Sequence, residues 1–166
     1  MIDLILQTDR RFNHSIQRYG CFFRSLLAIA ETHLKKALSA KDILHIYEMA
    51  VAMGPDFMLA DCTCKRLGAG GGLVIMGLRL LGSHDFDCRQ VGSIDAQTEE
   101  ISWWGTKCYN YTILLGRTAN DKHYRLGDSS GTLLFDPNPK AKIRREIQEL
   151  LYLVERSEYG NRSKDV

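Results

Sequence analysis

Of the five cysteines in this chain, one is set apart by its neighbours. In Gln17-Arg18-Tyr19-Gly20-Cys21-Phe22-Phe23-Arg24-Ser25-Leu26-Leu27, a short polar approach and a glycine hinge precede Cys21, and a long apolar helix follows. A cysteine in the first turn of a helix faces unpaired N–H groups that favour its thiolate. That is one recognised route to a reactive sulfur. Cys21 is therefore the candidate nucleophile, and the remaining chain should supply a base, an orienting group and an oxyanion donor.

The base and its orienting acid are expected on a hairpin. Lys122 to Gly127 and Thr132 to Asp136 flank the turn Asp128-Ser129-Ser130-Gly131, and Pro137 ends the second strand. With a two- or four-residue loop, Gly127 faces Thr132, Arg125 faces Leu134 and His123 faces Asp136. A histidine and a carboxylate so placed have Cβ atoms roughly 5 Å apart. The carboxylate can then hold the imidazole in one tautomer and stabilise its cation. A three-residue loop would slip the register by one and carry Asp136 to the other face. Asp128 is the rival acid, although it belongs more naturally to the turn.

Gln-x-x-Gly-Cys opening a buried helix, followed late in the chain by His123-Tyr124, a short hairpin and Asp136-Pro137, resembles the papain-like cysteine peptidases. The likeness is closer to the compact C39-like branch, which includes bacteriocin-leader-processing domains and an uncharacterised bacterial and phage family. It is carried by residues 17–30 and 122–139. The resemblance implies Cys21 as nucleophile, His123 as general base and later acid, and Asp136 as orienting group. It also implies an oxyanion hole built from the Gln17 side chain and the Cys21 backbone N–H. Here the glycine precedes the cysteine and Gln17 lies only four residues upstream. The fold implied is α+β and papain-like, with an N-terminal central helix packed on a C-terminal antiparallel sheet. The activity implied is hydrolysis of a peptide or amide bond through an acyl-enzyme, without metal or organic cofactor. The same shell could serve as a silent binding or structural module of a phage or mobile element, or act as an acyltransferase or cell-wall amidase.

These residues need elements to hold them. Residues 1–16 read as a short helix or irregular arm, with Leu4, Ile5 and Phe12 available for docking. The helix from about Cys21 to Ala37 is apolar around most of its circumference, which marks it as buried. Polarity is expected only in its last turns, at Glu31, His33, Lys35 and Lys36. Ser39 caps a second helix running to Met53, which Gly54-Pro55 ends, and Leu73 to Leu81 forms a third. The Gly68 to Gly72 run reads as a loop or helix lead-in, since no phosphate-loop motif accompanies it. From about residue 86 the period turns to strands, strongest at Tyr109 to Leu115. Ala141 to Val154 reads as helical at first, with a turn to strand at Leu150 to Val154, and the polar tail 160–166 as frayed. Helices first and antiparallel strands after give one α+β domain, helical over about 1–82 and sheet over about 86–158.

Composition narrows the function classes. With 22 basic and 20 acidic residues spread along 166, no nucleic-acid or membrane footprint stands out. The start lacks the features of an export signal, no apolar run is long enough to cross a bilayer, and an odd cysteine count suits free thiols. The expected location is cytoplasmic, with a peptide-like substrate as the partner. Cys62-x-Cys64 with Cys88, Cys108 or His84 also admits a zinc reading, although the one-residue gap is not that of usual zinc pairs. His14, His33 and His45 read as surface residues. Of the adjacent Trp103 and Trp104, one is expected in the core and the other is a candidate for a substrate cleft.

Overall fold

A computed structural model describes residues 2–64 and 69–157. The order of elements is α1 (His14–Tyr19), α2 (Cys21–Leu34), α3 (Ala40–Ala52), α4 (Ala69–Leu80), then β1 (Phe86–Ile94), β2 (Ile101–Trp103), β3 (Tyr111–Arg117), β4 (Lys122–Asp128), β5 (Leu133–Phe135) and β6 (Arg145–Arg156). The fold is α+β: helices from the first half cover a six-stranded sheet of order β2-β1-β6-β3-β4-β5. Each neighbouring pair of strands is antiparallel.

The N-terminal arm is irregular up to Asn13, whose side chain caps α1 by accepting from the Ile16 N–H. Phe12 is buried, and Leu4 and Ile5 pack against the core as the sequence suggests. Gly20 joins α1 to α2 against the last turn of α1, where a Cβ would lie 2.3 Å from the Ile16 carbonyl oxygen. Glycine is required at that junction by lack of space, and it delivers Cys21 to the first turn of α2.

Helix α2 is the central helix, packed against α4 and β4. Phe23, Leu26, Leu27, Ala28, Ile29 and Ala30 are fully buried, as an all-round apolar helix should be. Two of its polar residues correct the sequence reading. Arg24 and Glu31 are equally inaccessible, joined Nη1 to Oε1 at 2.8 Å. The Leu38 N–H donates to the other Glu31 oxygen at 2.9 Å, and Arg24 Nε donates to the Ile5 carbonyl at 2.9 Å. His33 is not a surface residue either. It meets Phe86 edge-on and its Nδ1 lies 3.0 Å from the Tyr111 hydroxyl, and burial lowers its pKa.

Ser39 caps α3 through the Asp42 N–H, as expected. Helix α4 starts earlier than the apolar pattern alone indicates, and Gly70, Gly71 and Gly72 lie inside it; Gly68 falls outside the described residues. A Cβ at Gly71 would lie 2.6 Å from the Cys88 carbonyl oxygen. The glycines thus let α4 settle directly on the backbone of β1, and they are a packing device, not a loop.

The largest departure is at residues 145–149, which are strand and not helix; the turn to strand expected at Leu150 to Val154 is found, within the twelve-residue β6. β6 lies between β1 and β3, and over residues 151–154 it is buried on both faces. Tyr152 and Val154 join the main core beneath the helices, while Leu151 and Leu153 join Val91 in a smaller cluster. A strand buried on both faces reads as a continuous apolar run, so the alternation that would identify it disappears. Trp103 packs against Tyr109 beside the smaller cluster, whereas Trp104 is 40% exposed and is not part of the cleft lining. The tail 160–166 lies outside the described residues.

Candidate active site

The hairpin register differs from expectation, yet it delivers the expected pair. Asp128 N–H donates to the Thr132 carbonyl at 2.9 Å across a three-residue loop, with Gly131 at φ +80°. This is the three-residue turn with a left-handed glycine, which slips the strands by one. A bulge then follows: Gly127 faces Leu133 but Leu126 faces Phe135, leaving Leu134 extra on β5. Two single-residue slips restore parity. Continued one step, the register sets Asp136 opposite Arg125 and diagonal to His123, on their face of the hairpin.

His123 Nε2 and Asp136 Oδ1 are 2.7 Å apart, and the Asn138 N–H donates to the same carboxylate oxygen at 3.0 Å. Arg125 reaches the other Asp136 oxygen at 3.5 Å and grips Glu146 with two bonds of 2.7 Å. Burial opposes ionisation of Asp136, but the bonds from His123 and Asn138 and the nearby cations outweigh it, so its pKa lies below the ordinary value. Burial likewise opposes protonation of His123. The bond to Asp136, then hydrogen bonding to Cys21 and the charges of both partners, reverse that effect and raise the imidazole to about 9. Nε2 faces Asp136, so Nδ1 is the ring nitrogen that the carboxylate does not engage.

Cys21 meets His123 because α2 is tied to β4 one turn further on. Ser25 Oγ donates to the Tyr124 carbonyl at 3.2 Å, and the Phe22 and Tyr124 rings lie 5.0 Å apart. Both contacts hold the start of α2 against the residue that follows the histidine. In front of them opens a cleft of ≈ 470 Å³ lined by residues of α1, the start of α2, the 61–64 loop, β4 and β6.

Of the residues expected from sequence, Cys21, His123 and Asp136 come together, and Gln17 does not join them. Its Nε2 donates to the Phe12 carbonyl at 2.6 Å, and its own carbonyl accepts from Gln7 Nε2 at 3.2 Å. Gln17 is half-buried, does not line the cleft, and in this conformation fastens the N-terminal arm to α1. The donors left for an oxyanion are the leading N–H groups of α2, which have no acceptor within the helix.

Two features escaped the sequence. Arg125 and Glu146 could not be paired while residues 141–154 read as helical. Cys62 and Cys64 line the same cleft as Cys21, and burial pushes their thiols up to about 12 and about 11. Among the described residues, no group of three or more His, Cys, Asp or Glu side chains is placed to hold a metal ion. None of the described helices is long and apolar enough to cross a membrane. Comparison with family models, with curated proteins and with solved structures returned no match.

Proposed function

We propose that the chain is a cysteine hydrolase of papain-like type that cleaves a peptide or amide bond through an acyl-enzyme. The observation that carries this reading is His123 held between Asp136 and Cys21, with its imidazole raised to about 9. In this mechanism the Cys21 thiolate attacks the carbonyl carbon, and the oxyanion is met by N–H groups at the start of α2. The His123 Nδ1–H then protonates the departing amine. Water enters, gives its proton to the imidazole, and attacks the thioester, releasing the acid and Cys21. Asp136 keeps the ring in the required tautomer and stabilises its cation. A silent binding module would have no need of these three groups in contact.

The test is iodoacetamide at pH 6 with mass mapping of the adduct. Cys62, Cys64 and Cys88 have thiols that burial raises to about 12, about 11 and about 12, so they should stay inert. Cys108 is exposed and serves as the ordinary comparator. Cys21 should label at least about tenfold faster than Cys108, and His123→Ala should abolish the advantage. Equal labelling of Cys21 and Cys108 sinks the proposal.

A further inference from the structure

Glu149 occupies an irregular position on a central strand. Leu150 pairs with Ile113 and Gln148 with Leu114, so Glu149 is the residue left over at a bulge in β6. Consecutive residues of a regular strand point to opposite faces, yet Glu149 and Leu150 both line the cleft in front of Cys21. The bulge is what turns the carboxylate into that space, the re-aiming of a side chain that bulges perform next to sites.

Among the described residues the carboxylate has no ion-pair or hydrogen-bond partner. Burial raises its pKa, and the charges of Lys122 and Arg117 only partly offset this. Both cations act on it through charge alone, and no hydrogen bond from a described residue satisfies it. The other charged residues of the described lining are Arg18 and Lys122 against Asp61 and Asp121, which cancel in formal charge. Among the described lining residues, Glu149 is therefore the acid left over once those four cancel. It shares the cleft lining with Cys21 and Tyr124, and the Tyr124 hydroxyl, raised to about 12 first by burial, is raised further by the charges of both Glu149 and Cys21. A half-buried carboxylate lacking a partner carries a desolvation cost that a bound cation recovers through charge-assisted hydrogen bonds.

We infer that the cleft selects substrates bearing an ammonium or guanidinium side chain beside the scissile carbonyl, with Glu149 as the receptor for that cation. This rests on Cys21 being the nucleophile. The substrate class is then a basic peptide or amide, and the specificity is built into the sheet, independent of loop closure.

Dipeptidyl acyloxymethyl ketones test it, because the Cys21 sulfur bonds to the ketone methylene as the carboxylate leaves, and the adduct is read by intact mass. Three side chains are compared at each of the two residues preceding the ketone: lysine, its neutral analogue norleucine, and glutamate. The wild-type chain should be labelled about tenfold faster by a lysine probe than by its norleucine counterpart. Glu149→Gln should bring that ratio close to one, and Glu149→Lys should favour the glutamate probe. Because the readout is a ratio within one variant, a general loss of reactivity does not mimic the result. A wild-type ratio near one, with Cys21 still selectively alkylated by iodoacetamide, overturns the substrate class and leaves the nucleophile standing. A lysine preference that survives in Glu149→Gln overturns the role of Glu149. Failure of iodoacetamide to select Cys21 overturns the underlying mechanism, and the inference with it.

Discussion

At neutral pH an imidazole raised to about 9 carries a proton, so the resting charge of the site is set by His123. The sign of the resulting pH dependence follows from its folded value lying above the ordinary 6.5. The stabilisation is complete below about 6.5 and is lost as pH rises through about 9. Relative to His123→Asn, the wild-type chain should lose about 1–3 kcal/mol of urea stability between those limits. A difference that is flat or grows with pH contradicts the imidazolium. Asp136, whose pKa is lowered, contributes in the opposite direction, and its share disappears only as pH falls through the acid range. At this scale Cys21, His123 and Asp136, the proposed nucleophile, base and orienting acid, were legible because each sits in a local pattern: a helix start, a strand start and a residue before proline. Gln17 was read from its type, which suits an oxyanion donor, whereas its partner in this conformation is the Phe12 carbonyl, decided by the path of the arm. Gln17→Ala should therefore loosen the arm, costing about 1 kcal/mol in urea, and leave the pH 6 alkylation rate of Cys21 within about twofold. A rate loss of a hundredfold or more would return Gln17 to the chemistry.

Between elements, the alignment of Cys21 with His123 depends on how α2 lies on β4. Ser25→Ala removes the side-chain bond to the Tyr124 carbonyl. The expected cost is about 1 kcal/mol of stability with a disproportionate slowing of Cys21 alkylation, because the helix start shifts relative to the imidazole. Slowing no greater than in a surface control would remove Ser25 from the positioning role. The seat of α4 on β1 is tested by Gly71→Ala, whose added Cβ meets the Cys88 carbonyl oxygen at 2.6 Å. Backbone cannot rotate away as a side chain can, so a loss of about 1–3 kcal/mol is expected by thermal melting. The helical half of the fold was readable from caps and period: Ser39 with Asp42 opens α3, and the apolar run marks α2. The sheet was harder. A turn of three residues and a bulge at Leu134 each defeat a register drawn by counting, and only their combination restores the pairing of His123 with Asp136. The strand β6 was read only from Leu150 onward, because its two faces meet two different cores and no alternation marks its start.

Across the molecule, the buried pair Arg24–Glu31 ties the arm, the central helix and the turn after it through Ile5 and Leu38. The guanidinium also lies 5.2 Å from the centre of the Phe135 ring, on the strand leading to Asp136. Removing one charge strands the other, so Arg24→Met should cost about 3–5 kcal/mol in urea. The double variant Arg24→Met/Glu31→Gln, which keeps an acceptor for the Leu38 N–H, should recover more than half of that loss. Additive losses would show that the pair contributes no mutual compensation. The placement of β6 has a separate consequence for the order of events as the chain is made. β6 is the last described strand to emerge during synthesis, but it enters the middle of the sheet, between β1 and β3. Until it does, the strand beneath α4 and the strands that carry His123 and Asp136 have no backbone connection to each other. Such long-range pairing closes late and slowly. The Cys21 thiol is therefore made well before His123 and Asp136, and the sheet is completed in the same late step that brings Glu149 into the cleft.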